Sequence, residues 1–335
     1  MAVDIVVVPD FACVQSRSFE WQTFYLLASI AEYAKISEKS NVFVNCIGKP
    51  PVWLNNFGKY FNLSVCEKKA SEVGGFHNKL QGLIDYHPTN NQTLLLDSDI
   101  MFLGPLESPI LELEAPLIAA AIANIHHLPN EIWADLYKSL DFESSDNKNS
   151  SPTVHEQLNF PTEFKNVLYP YYNGGIVLFD PKVNLYTLWK KHINHYYNFI
   201  HTYDDKMLTE RMKSSNQPSL ATLIKEVQHS FPNEKTCTLP DNLHIRWQHI
   251  AAKSHRVEDI KLLHTIGILK NIEANDTPKK VHSKATDFAE WQIKNLHGMH
   301  HSKYNIKERF LIHKEIKKLK GMFDNLYSKY AKDFL

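Results

Sequence analysis

Short apolar runs of strand character alternate with stretches of helix-forming composition through the first hundred residues, and this alternation constrains the fold more than any other feature. "DIVVV" (4–8) is a β-branched run ended by Pro9, and Ser18 opens a helix-forming segment with Glu20 in its first turn. "NVFVNCI" (41–47) repeats the strand signal before Gly48 and two prolines, and "NLSVCE" (62–67) is a weaker third. "GFHNKLQGLIDYH" (75–87) reads as a helix with Leu80, Leu83 and Ile84 on one side, and it leads into "QTLLLDSD". Strands interleaved with helices predict an α/β fold with a central, mostly parallel sheet flanked by helices, in which "TLLL" is a buried strand. Ligands of such sheets bind beyond the carboxyl ends of the strands, which is where Asp97 and Asp99 fall.

Further along, 141–157 is rich in Ser, Asn and Asp and reads as a surface loop. In "YPYYNGGIVLFDP" (169–181), Asn173, Gly174 and Gly175 precede an apolar strand, and a Gly pair there marks a bulge or a close backbone approach. "LYTLWKKHINHYYNFI" and "NQPSLATLIKEV" (216–227) read as helices, and "DNLHIRWQ" as an alternating strand. "DIKLLHTIGILK" (259–270) reads as a last strand running into His264, Gly267 and Lys270. The expected organisation is a catalytic domain over 1–270 and a helical extension over 271–335 packed on it.

In that extension Ile306, Phe310, Ile316, Leu319, Phe323, Leu326 and Tyr330 recur at helical spacing, with lysines on the other side. Docking on the core is the favoured reading. Peripheral contact with an anionic membrane through the basic face is the alternative. Gly321 argues against one continuous helix.

Equal numbers of basic and acidic residues, 37 each, give no electrostatic reason to expect nucleic acid as a partner. Cys13, Cys46, Cys66 and Cys237 lack metal-ligand spacing and read as reduced core thiols. "DIVVVPD" is too short for a signal-peptide core, and no apolar run approaches a membrane span. A cytoplasmic location, with peripheral contact at the inner membrane face as an option, is expected.

Asp97 and Asp99 repel each other unless a cation lies between them or both are solvated at a turn. Hard divalent cations take oxygen ligands and commonly share one or two carboxylates with substrate phosphates. In an extended segment residues i and i+2 face the same way, so the pair could converge on one ion. An ordinary solvated turn accommodates Asp-Ser-Asp as well.

The order and separation of "HNKLQGL…LLLDSDIMFLGPL", "YYNGGIVLFDP", "NQPSL", "LPDNLHIRW" and "LLHTIGILK" resemble glycosyltransferases of the GT-A fold. The chain is most similar to glycosyltransferase family 8, the glycogenin and lipopolysaccharide galactosyltransferase group, over about residues 3–270. The resemblance implies that Asp97, Ser98 and Asp99 form the family's Asp-x-Asp. With His264, the two aspartates would hold Mn²⁺ (or Mg²⁺) against the diphosphate of a nucleotide sugar. It further implies that Lys79 faces the donor, that His264, Gly267 and Lys270 form the family's donor-binding His-x-x-Gly-x-x-Lys with the lysine reaching the diphosphate, and that Asn173 and Gly174 line the sugar pocket. Asp10 would lie near the base. A polar side chain beneath the sugar falls on Asn216 or Gln217, where many relatives have Asp at the first position, so a covalent carboxylate intermediate is disfavoured. Asn216 equally suits a helix N-cap.

The implied activity is hexosyl transfer from a nucleotide sugar, a UDP-sugar by expectation, to a glycan, lipid-linked or protein acceptor, with retention. A nucleotide-sugar-binding pseudoenzyme would lose the metal ligands, all of which are present. A haloacid dehalogenase-type phosphohydrolase would carry its Asp-x-Asp near the N-terminus, with Thr or Val where Met101 stands. A glycoside hydrolase needs two carboxylates across a cleft and leaves the Asn-Gly-Gly and His264 motifs without a role.

Overall fold

The structure, a computed structural model, describes residues 2–73, 75–123, 128–142, 169–213, 216–246, 250, 256–265, 269, 272–273, 275–287 and 306–334. Strand β1 (Asp4–Val7) leads into helix α1 (Ser16–Ser29), which widens into a π-helical turn over Ile30–Ala34 and stops at Lys35, a left-handed residue. Strands β2 (Asn41–Ile47) and β3 (Asn62–Lys68) follow, then helix α2 (Phe76–Gln81) and strands β4 (Thr93–Leu96) and β5 (Ile100–Phe102). Next come α3 (Glu107–Leu111), β6 (Ile118–Ile122), α4 (Asn130–Lys138), β7 (Tyr172–Phe179), α5 (Leu185–Ile200), α6 (Lys206–Lys213) and α7 (Gln217–Ser230). Strands β8 (Thr236–Thr238), β9 (Ile245–Arg246) and β10 (Leu262–His264) precede a helical stretch at 278–287 and the long helix α8 (Ile306–Phe334).

Seven strands form one sheet in the order β3-β2-β1-β4-β7-β6-β8, with β7 antiparallel to its neighbours and the other pairings parallel. Alternation along the strands feeds two cores. Ile5, Val7, Leu94, Leu96, Ile176 and Leu178 face α1 and α8, whereas Val6, Leu95 and Val177 pack with Trp189, Leu220 and Ile224 of α5 and α7. Continuous apolar runs are thus needed because both faces are covered. A second sheet, β5-β10-β9, sits at the carboxyl end of β4.

Helix α8 docks on the first core. Ile316, Leu319, Phe323, Leu326, Tyr330 and Phe334 are buried, and the Phe334 ring lies 4.4 Å from Trp21 and 4.8 Å from Trp53. Asp333 accepts from Lys59 Nζ at 2.5 Å and Tyr60 Oη at 2.7 Å, and Glu32 accepts from Tyr330 Oη at 2.8 Å. The helix runs unbroken through Gly321, contrary to expectation: its packed face supplies more than one glycine costs, about 1 kcal/mol. The side chains of Ile306 and Phe310 lie outside the description. Among the described residues no helix is long and apolar enough to cross a membrane.

Other expectations are also corrected. The helix anticipated over 75–87 ends at Gln81, because Gly82 presses on the end of β1, where a Cβ would fall 2.3 Å from Val8, and Asp85 turns left-handed. "DNLHIRWQ" opens as a 3₁₀ turn at Asp241–Leu243 before strand β9, its Trp247 and Gln248 lying outside the described residues, and the last described strand is three residues long. Cys46 alone is a core thiol; Cys66 is exposed on edge strand β3, and Cys13 and Cys237 are half-buried. The loop expected at 141–157 lies outside the described residues from 143 onward.

Candidate active site

Beyond the last residue of β4, the Asp97 N–H donates to the Gly175 carbonyl at 2.8 Å, and the Ile100 N–H returns to the Asp97 carbonyl at 3.2 Å. The aspartates therefore sit on a turn. It is this turn, and not the extended geometry expected, that brings their carboxylates together. Strand β5 starts directly after it and pairs antiparallel with β10, placing His264 opposite Ile100. Thr265 then donates to the Asp99 carbonyl from both its N–H (2.8 Å) and its Oγ1 (2.7 Å).

This pairing delivers the His264 imidazole, 4% exposed, to the acidic turn, with Nε2 3.1 Å from Asp99 Oδ1. One ligand atom each from Asp97, Asp99 and His264 lies within 4.8 Å of the others. Two carboxylates and an imidazole beside an open cleft fit a divalent cation that accepts oxygen and nitrogen ligands. Lys79 of α2 faces them, with Nζ 2.5 Å from Asp97 Oδ1 and a second bond to the Gly174 carbonyl.

Strand β7 makes room for this cluster. Its register with β6 jumps from Ala120↔Val177 to Ala121↔Asn173, so the two glycines occupy a bulge inside the strand. A Cβ on Gly175 would stand 2.7 Å from Asn173 Oδ1, 2.8 Å from His264 Cε1 and 3.0 Å from Asp97 Oδ2. Only a hydrogen fits there.

The cluster opens on a cleft of about 560 Å³ lined by Asp10, Lys79, Asp97, Ser98, Asp99, Asn173, Gly174, Asn216 and Gln217, all singled out in the sequence. Asp10, just beyond β1, accepts from the N–H groups of Ala12 and Cys13 at 3.1 Å through Oδ1, and from Asn78 Nδ2 at 2.7 Å through Oδ2. Ser98 donates to Gln22 Oε1 at 2.9 Å, so its hydroxyl is tied to α1. The Asn173 side-chain Oδ1 accepts from the Gly175 N–H at 2.8 Å.

Asn216 occupies the N-cap position of α7, yet its side chain does not cap the helix. Its amide atoms instead lie 3.4 and 3.5 Å from the position a Cβ on Gly174 would take. Below them Trp189 Nε1 donates to Ser219 Oγ at 3.0 Å, and Ser219 donates to the Asn216 carbonyl at 2.6 Å, fixing the start of the helix. Cys13 also lines the cleft. Burial, aided by the Asp10 charge and opposed by backbone N–H groups, pushes its thiol up, so it is not a thiolate near neutral pH.

Gly267 and Lys270 lie outside the described residues. Sequence reasoning passed over Asn78, which holds Asp10 and itself accepts from the Ser71 N–H at 2.7 Å, and Gln22, which lines the cleft from α1. The signal for Asn78 was its place beside Lys79 on a short helix aimed at the strand ends. Gln22 gave none, lying inside an otherwise apolar helical run.

A family model described as a Rhodobacterales glycosyltransferase domain matches residues 11–227. A comparison with curated protein sequences finds no match. Among solved structures, the chain is similar to mouse xyloside xylosyltransferase 1 at 10% identity, over 79% of this chain and 97% of that one, with a TM-score of 0.45. It is also similar to the glycosyltransferase GlyE of Streptococcus pneumoniae TIGR4, at 13% identity over 88% and 64% of the two chains, with a TM-score of 0.45. A third is the galactosyltransferase LgtC in complex with donor and acceptor sugar analogues, at 13% identity over 92% and 99%, with a TM-score of 0.45.

Proposed function

Because the chain belongs to the Rhodobacterales glycosyltransferase domain family, we propose that it transfers a hexose from a UDP-sugar to an acceptor hydroxyl with retention, using Mn²⁺ or Mg²⁺ held by Asp97, Asp99 and His264. The observation that carries this reading is the convergence of those three side chains and Lys79 on one cleft. A bound divalent cation supplies positive charge against a diphosphate leaving group. Lys79, held at Asp97 Oδ1, adds a second positive charge, and its stabilising effect grows as water is excluded.

Asn173, Asn216 and Gln217 contribute neutral amides to the rest of the wall. Neutral dipoles of this kind suit a wall beside a sugar carbon that becomes cationic as its bond to the diphosphate breaks. The carboxylates among the described lining residues are Asp10, Asp97 and Asp99. Asp10 accepts three internal hydrogen bonds, and the other two belong to the cation cluster. That distribution favours a front-face displacement. The acceptor oxygen bonds to the anomeric carbon on the side the diphosphate leaves, and the acceptor proton passes to the departing phosphate oxygen.

The test is a thermal-shift panel with UDP, with and without Mn²⁺, on the wild-type chain and on Asp99→Ala. At a ligand concentration of 100 Kd the wild type should gain about 2.7 kcal/mol. The Mn²⁺-dependent part should vanish in the variant. Stabilisation by UDP that ignores both metal and substitution would sink the proposal.

A further inference from the structure

We propose that His244 is a positioning residue for the cation site, holding His264 in the one ring tautomer that can act as a ligand; this rests on the reading of Asp97, Asp99 and His264 as metal ligands. The two imidazoles are both 4% exposed, and His244 Nε2 lies 3.1 Å from His264 Nδ1. On the other side, His264 Nε2 lies 3.1 Å from Asp99 Oδ1. The three groups therefore form a line from the protein interior to the cleft.

The small sheet builds this line. His264 ends its central strand β10, Asp99 immediately precedes β5 on one side, and His244 immediately precedes β9 on the other. In the parallel register Leu263 pairs with Ile245, which puts residue 244 level with 262 and on the same face as 264.

With a cation bound as proposed, the chemistry allows one arrangement. A metal-ligating imidazole offers a lone pair, and Nε2 is the nitrogen that faces Asp99 and the cleft. The remaining ring proton must sit on Nδ1, and a buried N–H needs an acceptor. The His244 Nε2 lone pair is the acceptor at hydrogen-bonding distance, so His244 carries its own proton on Nδ1. Without His244 the proton of His264 is better placed on Nε2, where it donates to Asp99 and blocks the ligand position. Partners that fix a ligating histidine in this way typically account for about 10- to 100-fold in metal affinity.

Three substitutions test this, with Mn²⁺ titrated in the presence of UDP and the thermal midpoint as readout. His244→Leu removes the acceptor and should raise the half-saturating Mn²⁺ concentration about 10- to 100-fold. His244→Gln places an amide oxygen near the position of Nε2 and should stay within a few-fold of wild type. His244→Asn is equally polar but too short to reach, and it should behave like the leucine variant; it decides the matter if leucine prevents folding. A merely structural histidine would lower the metal-free midpoint in all three and leave the Mn²⁺ dependence unchanged, and that result would overturn the proposal. Wild-type Mn²⁺ dependence with wild-type values in every variant removes His244 alone. No Mn²⁺ dependence in the wild type removes the metal reading and this inference with it.

Discussion

At the scale of single residues the site depends on what is missing at 175 as much as on what is present at 97, 99 and 264. Gly175→Ala inserts a methyl within 3.0 Å of Asn173, His264 and Asp97, so at least one must move. Overpacking of this kind costs about 1–3 kcal/mol. The chain should still fold, while Mn²⁺-dependent stabilisation by UDP falls at least about tenfold, a loss of about 1.4 kcal/mol in binding. Asn216 separates two roles in one experiment. A capping Asn replaced by Ala costs about 1 kcal/mol of stability, but this side chain makes no capping bond. Asn216→Ala should therefore leave the thermal midpoint nearly unchanged and lower kcat; a large stability loss with unchanged kcat would restore the capping role. Asp4 supplies the pH dependence. Burial would raise its pKa, but hydrogen bonds from Thr89 and Asn90, main chain and side chain, outweigh it and hold the carboxyl below 3.8. With the folded value depressed, Asp4 contributes stability above the unfolded value that is lost as pH falls through the folded one. Asp4→Asn should melt lower than wild type at pH 7, with the gap narrowing below about pH 4.

At the scale of elements, α8 completes the first core more than it extends the chain. Phe334 sits among Trp21, Phe24 and Trp53, and Phe334→Ala should cost about 3 kcal/mol, read as a lower denaturation midpoint with little change in donor affinity. The sequence disclosed this helix because its apolar side keeps a helical period. It disclosed β1, β2 and β4 because strands covered on both faces must be apolar throughout. β5, β6, β8, α3, α4 and α6 were not foreseen. "LIAAAIA" lacks the β-branched density of a strand signal, and three-residue "TCT" is held only by its pairing with β6. Of the site, the acidic pair was legible from local pattern, and Lys79 and His264 only through the order of distant motifs. Gln22 and His244 carry no local signal, because their roles are set by what folds against them.

At the scale of the whole molecule the charges balance, with a sequence pI of about 7.3. Self-association should be greatest near that pH and weaken on either side as net charge grows. Light scattering from pH 6 to 9 would check this, and a flat profile would point to a patch interaction instead. The contact between Thr265 and Asp99 spans 166 residues, and it is made twice, from the N–H and from Oγ1. Bringing such distant segments together costs chain entropy that rises with the logarithm of the separation. Here the fold has met that cost before any ligand arrives, because both bonds are made by the protein itself. A cation bound as proposed would meet a closed ring of chain rather than two loose ends, so its affinity would report local chemistry and little of the polymer physics behind it. Thr265→Val, which spares the N–H bond, should widen the spread of ring geometries and weaken Mn²⁺ binding without opening the ring.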